Sequence, residues 1–181
     1  MACGLTDITA IATCETNGGI VESVGCKFTD ITSVTLTSGV VSNFTMASTG
    51  LWQEYTYALD STANFASTGA RNGNRITQEQ AAFLKFPGIT EAYLLTADNA
   101  QQCCDVVFIH FLANGTKVIQ GLERLASTGA PSRTANQSTR IVPTANTGTS
   151  NEEARLEFNI QGNANSMPMT TSLTKAALLA L

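Results

Sequence analysis

A chain of 181 residues that is 43% apolar and only 13% charged is long enough to bury its own core as one domain, and its composition excludes a disordered acidic tail or a coiled coil. Ten basic residues against fourteen acidic ones give a net charge of −4. No basic stripe is present to neutralise phosphates, which excludes a nucleic-acid binder driven by counterion release.

The acidity is uneven. Asp7, Glu15, Glu22, Asp30, Glu54 and Asp60 face Lys27 alone over residues 1–70, and the remainder is close to neutral. The longest apolar runs, Val106 to Ala113 and Ala176 to Leu181, fall short of the roughly 20 residues that span a bilayer. No Lys or Arg precedes Lys27, so the basic start of a secretory leader is missing and a cytoplasmic origin is expected. Five cysteines, with Cys103 and Cys104 adjacent, fit reduced thiols better than a disulfide framework.

In chain order, residues 18–41 crowd β-branched residues between glycines and predict two short strands. Leu51 to Asp60 places Tyr55 and Tyr57 on one face at strand period, and Ser67 to Asn74 reads as a turn or extended hairpin tip. Residues 75–86 are ambiguous. Thr77 and Gln80 fit a capping box and Gln-Glu-Gln-Ala-Ala-Phe-Leu-Lys favours helix, yet the run is short, ends at Pro87 and can alternate as a strand. On local propensity helix wins.

Residues 90–102 predict one amphipathic helix. Val106 to Leu112 and Lys117 to Leu122 flank Asn114-Gly115 and predict a β-hairpin, with positive φ at both central turn positions. Residues 126–151 are almost wholly Ser, Thr, Asn, Gly, Ala and Pro, broken by Arg133, Arg140 and Ile141-Val142, and read as a long polar loop. A strand follows over 154–161, with Leu156, Phe158 and Ile160 inward. The apolar tail 173–181 docks on its own core or on a neighbour. Ala-Ser-Thr-Gly recurs at 47–50, 66–69 and 126–129 with unequal spacing, as loop vocabulary and not a solenoid repeat.

The chemistry-bearing residues assemble no enzymatic constellation. His110 is the only histidine, and mid-strand it reads as a packed or cross-strand imidazole before a catalytic base. Cys103 and Cys104 lack the two-residue spacer that turns both thiolates towards one zinc, even with Asp105 and His110 near. Gly69 to Asn74 lacks the Lys and Ser/Thr of a phosphate loop. Sequons at Asn43, Asn114 and Asn136 are expected by chance, and Glu152, Glu153 and Glu157 read as a solvated strand start. No catalytic residue, cofactor or metal ligand is assigned. Long polar loops, a hairpin-rich sheet and an apolar C-terminus point to assembly.

The order of several short motifs carries a resemblance. Met-Ala-Cys-Gly at the start, Cys14, Asn17-Gly18-Gly19-Ile20, the Trp52-Gln-Glu-Tyr-Thr-Tyr57 strand, a Gly-Asn-Arg turn, a long element before the helix and the hairpin Val106 to Leu122 follow one another. That order resembles the tail tube (major tail) proteins of bacteriophages over about residues 1–125, with 154–161 as a closing strand. The resemblance implies a β-sandwich or small barrel with one packed α-helix, a single domain. It further implies a virion protein, assembled in the host bacterial cytoplasm, that forms hexameric rings stacked into a tube.

Partners would be further copies and other tail proteins, with DNA as a non-specific passing cargo and no membrane. Residues 75–86 would then be a strand pairing with 54–66, and Arg71 and Arg75 would lie at a hairpin tip facing acids of a neighbouring subunit. An acidic lumen would suit the net charge. The polar stretch 126–151 departs from the family pattern. Two alternatives stand beside this reading. One is another phage module, such as a baseplate, fibre or capsid-decoration protein, and the other is a carbohydrate- or small-ligand-binding sandwich with Trp52, Tyr55 and Tyr57 as a stacking platform.

Overall fold

The computed structural model of the protein describes residues 19–55, 63–72, 75–102, 105–132, 138–148 and 154–181. Eleven strands and two helices follow in the order β1 (Ile20–Lys27), β2 (Ile31–Thr37), β3 (Val40–Met46), β4 (Gln53–Tyr55), β5 (Asn64–Asn72), β6 (Arg75–Pro87), α1 (Glu91–Gln102), β7 (Val106–Leu112), β8 (Lys117–Gln120), β9 (Arg140–Asn146), β10 (Arg155–Ala164), β11 (Met169–Thr170) and α2 (Lys175–Leu179). The fold is mainly β, a sandwich with one main helix. Its central sheet has the order β11-β8-β7-β1-β4, a second sheet runs β5-β6-β10-β9, and β2-β3 form a separate hairpin.

Strand alternation explains how the layers hold together. On β7, Val107, Ile109 and Phe111 point to one side of the central sheet, into a cluster with Val34, Val41 and Phe44 of the β2-β3 hairpin and Trp52. Val106 and Phe108 point to the other side, packing with Ala82, Leu84 and Phe86 of β6 and Leu156, Phe158 and Ile160 of β10. The central sheet is therefore buried on both faces, which is why β7 reads as an unbroken apolar run. Each such large side chain contributes roughly 1.5–3 kcal/mol of burial.

Several expectations meet the structure directly. The helix α1 spans Glu91–Gln102, and β7 and β8 form the hairpin around Asn114-Gly115. The turn differs in detail. Only Gly115 has positive φ (83°), while the paired left-handed turn occurs at Ser38 (φ 52°) and Gly39 (φ 79°), joining β2 to β3. That two-residue geometry matches the twist of a tight hairpin.

Residues 75–86 are strand and not helix, which corrects the reading from local propensity. At period two the stretch places Gln80, Ala82, Leu84 and Phe86 inward, and β6 is laddered on both sides, by β5 and by β10. Two rows of interstrand hydrogen bonds and a buried face outweigh a propensity difference of tenths of a kcal/mol per residue. Its partner also differs from expectation: β6 pairs with 64–72, overlapping 54–66 only at 64–66. The turn over Ser67 to Asn74 is an extended hairpin, strand up to Asn72.

The polar stretch 126–151 is not loop throughout, a second correction. Arg140–Asn146 form β9, whose Ile141 is buried opposite Ile160. The apolar tail docks on its own core: Leu178 of α2 is fully buried, and the Thr174 side chain caps the helix by accepting a hydrogen bond from the Ala177 amide.

Candidate functional site

The sole histidine has a more elaborate setting than its flanking residues suggest. Ser23 on β1 and His110 on β7 are opposed cross-strand partners, with Oγ and Nδ1 2.9 Å apart. Nε2 of His110 lies 2.9 Å from Oε1 of Gln120 on β8. Nε2 of Gln120 donates to the backbone carbonyls of Gln80 on β6 (3.1 Å) and Ile160 on β10 (2.9 Å). These bonds fix the roles: the Gln120 amide nitrogen is the donor, so its oxygen accepts from Nε2–H of a neutral imidazole, and Nδ1 accepts from the Ser23 hydroxyl.

Burial lowers the His110 pKa to about 4, the Gln120 hydrogen bond opposing this only partly. The arrangement has the spacing of a nucleophile, base and orienter. Ser23, His110 and Gln120 are each fully buried between the sheets, however, where no substrate reaches Oγ. Its role is a polar strut joining the central sheet to the second one.

The aromatic platform does not form. Trp52 belongs to the cluster beneath the β2-β3 hairpin, its ring 5.2 Å from Phe44, whereas Tyr55 packs on the opposite side of the sheet against Phe86, Phe108 and Phe158. Tyr57 lies outside the described residues. So do Cys103, Cys104, Glu152, Glu153 and Asn136. Asp105 sits 3.4 Å from Arg140, and Glu157 pairs with Arg155. Among the described residues no group of three His, Cys, Asp or Glu side chains could hold a metal ion.

What the fold leaves open is the second sheet. Its edge strands are β5 and β9, and no further strand among the described residues pairs with the outer side of either. β5 is nine residues long, without proline and with Arg71 its only charge. β9 carries Pro143, which removes one donor. The outward face is mixed: Asn64, Phe83, Asn159 and Val142 form one cross-strand row, and Ala66, Ala81, Gln161 and Arg140 the next. Two acidic residues, Glu79 and Glu157, share this face with three basic ones, Lys85, Arg140 and Arg155, so the acidity of the chain is not gathered here as an acidic lining would require.

Beyond this sheet the β5-β6 hairpin projects. Pairing of β6 with β10 ends at Gln78↔Ala164, leaving the rungs Ala70↔Thr77, Arg71↔Ile76 and Asn72↔Arg75 without a third strand. Arg71 is exposed on this hairpin; Arg75 opens β6, and its side chain lies outside the described parts. Ile76 beside it is 62% exposed. Sequence reasoning did not single out Ser23, Gln120 or Ile76. The one available signal was Gln120 at the end of Val-Ile-Gln, a polar residue in an otherwise buried strand. Comparison of the chain with family models, curated proteins and solved structures finds no match.

Proposed function

We propose that the protein is a structural subunit of a phage-type tail tube, which associates head to tail through the edges of its second sheet into rings that stack around a channel for DNA. The observation that supports this reading is the four-stranded sheet β5-β6-β10-β9, which has an edge strand on each side. An unblunted edge presents a row of backbone donors and acceptors that another chain can complete. Nine residues of β5 offer an edge roughly 30 Å long.

When the two edges of one sheet differ, as β5 and β9 do, edge-to-edge pairing is heterologous, and a heterologous contact closes into a ring when the rotation allows. Six copies per ring follow from the family resemblance.

The test is electron microscopy of the purified protein across a concentration series, with light scattering to measure particle mass. Stacked rings with an open channel are the expected result. Closed rings that never elongate would favour a baseplate or decoration module. A monomer at every concentration would overturn self-assembly and return attention to ligand binding.

A further inference from the structure

β4 pairs with β1 only as far as the rung Gly25↔Gln53, and β1 runs on past it to Lys27. Val24 and Cys26 turn into the cluster beneath the β2-β3 hairpin, so by strand alternation Gly25 and Lys27 turn towards the second sheet. There a cavity of about 280 Å³ opens beside the free stretch of β1, with Val106 and Phe108 of β7, Ile141 of β9 and Ala100 of α1 as its apolar interior. A Cβ at Gly25 would lie 2.8 Å from the Phe108 ring, so the ring holds its place only over a glycine. Lys27 and Asp30 are the only charged residues among those that line the cavity. They flank one 3-10 turn, Phe28–Asp30, with Lys27 exposed and Asp30 half-buried, which puts both at the mouth. Among the described residues neither makes an ion pair or a side-chain hydrogen bond, with the other or with any third group.

We propose that this cavity binds a small zwitterion with an apolar side chain, an α-amino acid, whose carboxylate meets Lys27, whose ammonium meets Asp30 and whose side chain rests on Val106, Phe108 and Ile141. Two opposite charges, each without a partner and one turn apart above an apolar interior, select a ligand that carries both charges on one head. A purely anionic amphiphile would bring its charge to Asp30, and a purely cationic one to Lys27. Gln53, also in the lining, has an amide that both donates and accepts. The volume falls just below the roughly 300–1,000 Å³ of sites for drug-sized ligands, which suits a single amino acid and excludes a peptide or a sugar chain. Every residue of the site belongs to one chain, so the inference stands apart from self-assembly.

The test is equilibrium dialysis of the full chain against radiolabelled L-leucine, a measurement that reads monomers and assemblies alike. Saturable binding of one leucine per chain is expected. Isocaproate, which is leucine without its ammonium, and isoamylamine, which is leucine without its carboxylate, should each compete at least about tenfold less well than leucine itself. Lys27→Met and Asp30→Asn should each weaken leucine binding about tenfold or more. Neither change breaks an ion pair, and circular dichroism checks that the fold is retained. No saturable binding, equal competition by either analogue, or undiminished binding by both variants would overturn the site and leave the self-assembly reading untouched.

Discussion

Ser23 Oγ and His110 Nδ1 lie 2.9 Å apart across β1 and β7, in the middle of a protein whose other buried side chains are almost all apolar. Through Gln120 the same chain of bonds reaches backbone carbonyls on β6 and β10, so a single polar line ties the two sheets at one register. A slip of one residue in β7 would turn His110 into the opposite cluster and leave Gln120 without its acceptor role.

The first prediction concerns acid. In the fold His110 has a pKa of about 4, against about 6.5 in an unfolded chain, so the unfolded state takes up the proton more readily. The stability this provides is complete above about pH 6.5, is lost as pH falls from there to about 4, and changes no further below. The loss is on the order of 3 kcal/mol. Urea denaturation at pH 7.5 and 4.5, on the protein and on His110→Gln, should show a steeper acid loss in the former. Equal losses would exclude His110 as the titrating group.

Gln120 is the joint of the strut. Gln120→Leu keeps the volume but removes a donor to two strand carbonyls and strands the imidazole N–H, at a cost of about 1–3 kcal/mol. A fall of less than about 1 kcal/mol in chemical denaturation would mean that the strut is not a joint.

The C-terminal helix separates burial from charge. Lys175 bridges Glu22 and Glu54 (2.9 Å to the latter) in a partly exposed setting, whereas Leu178 is fully buried. Lys175→Met should change stability by less than about 1 kcal/mol, and Leu178→Ala should cost about 2–4 kcal/mol. The reverse ranking in thermal unfolding would contradict the docking described for α2.

Gly162 on β10 permits a close approach. A Cβ there would lie 2.2 Å from Thr139 Oγ1 and 3.0 Å from Thr139 Cα, so backbone must move. Gly162→Ala is expected to destabilise by about 2 kcal/mol or more and to loosen β9 first. Hydrogen exchange of the β9 amides that pair with β10 reads this out, and unchanged protection there would refute it.

The segment Arg75–Pro87 offers a test of context. As an isolated peptide of 13 residues it lacks both flanking strands, and circular dichroism in trifluoroethanol should show helix, not strand. Persistent strand signal in the free peptide would mean that its local preference was misjudged.

These elements divide along a physical line. Where the pattern of side chains is local and unopposed, it was legible: the alternation of Leu156, Phe158 and Ile160, the Asn114-Gly115 hairpin and the helix after Pro87-Gly88 each follow from the residues themselves. β6 and β9 were not, because both are made strands by ladders to β10, which for β6 lies about 70 to 85 positions further along the chain. Pro143 and a run of small polar residues hide β9 from any periodicity reading.

The candidate sites divide in the same way. Arg71 could be placed at a turn from its glycine-rich neighbours, but Ser23, His110 and Gln120 lie as far as 97 positions apart and meet only through sheet register. The cavity beside Lys27 needs β1, β4, β7, β9 and α1 together. By itself the sequence determined a β-rich domain with one main helix, since short-range periodicity and turn chemistry act within a few residues. Tertiary structure alone decided which strands pair, which edges stay open and which polar groups are buried, since those depend on energies gained only when distant segments meet.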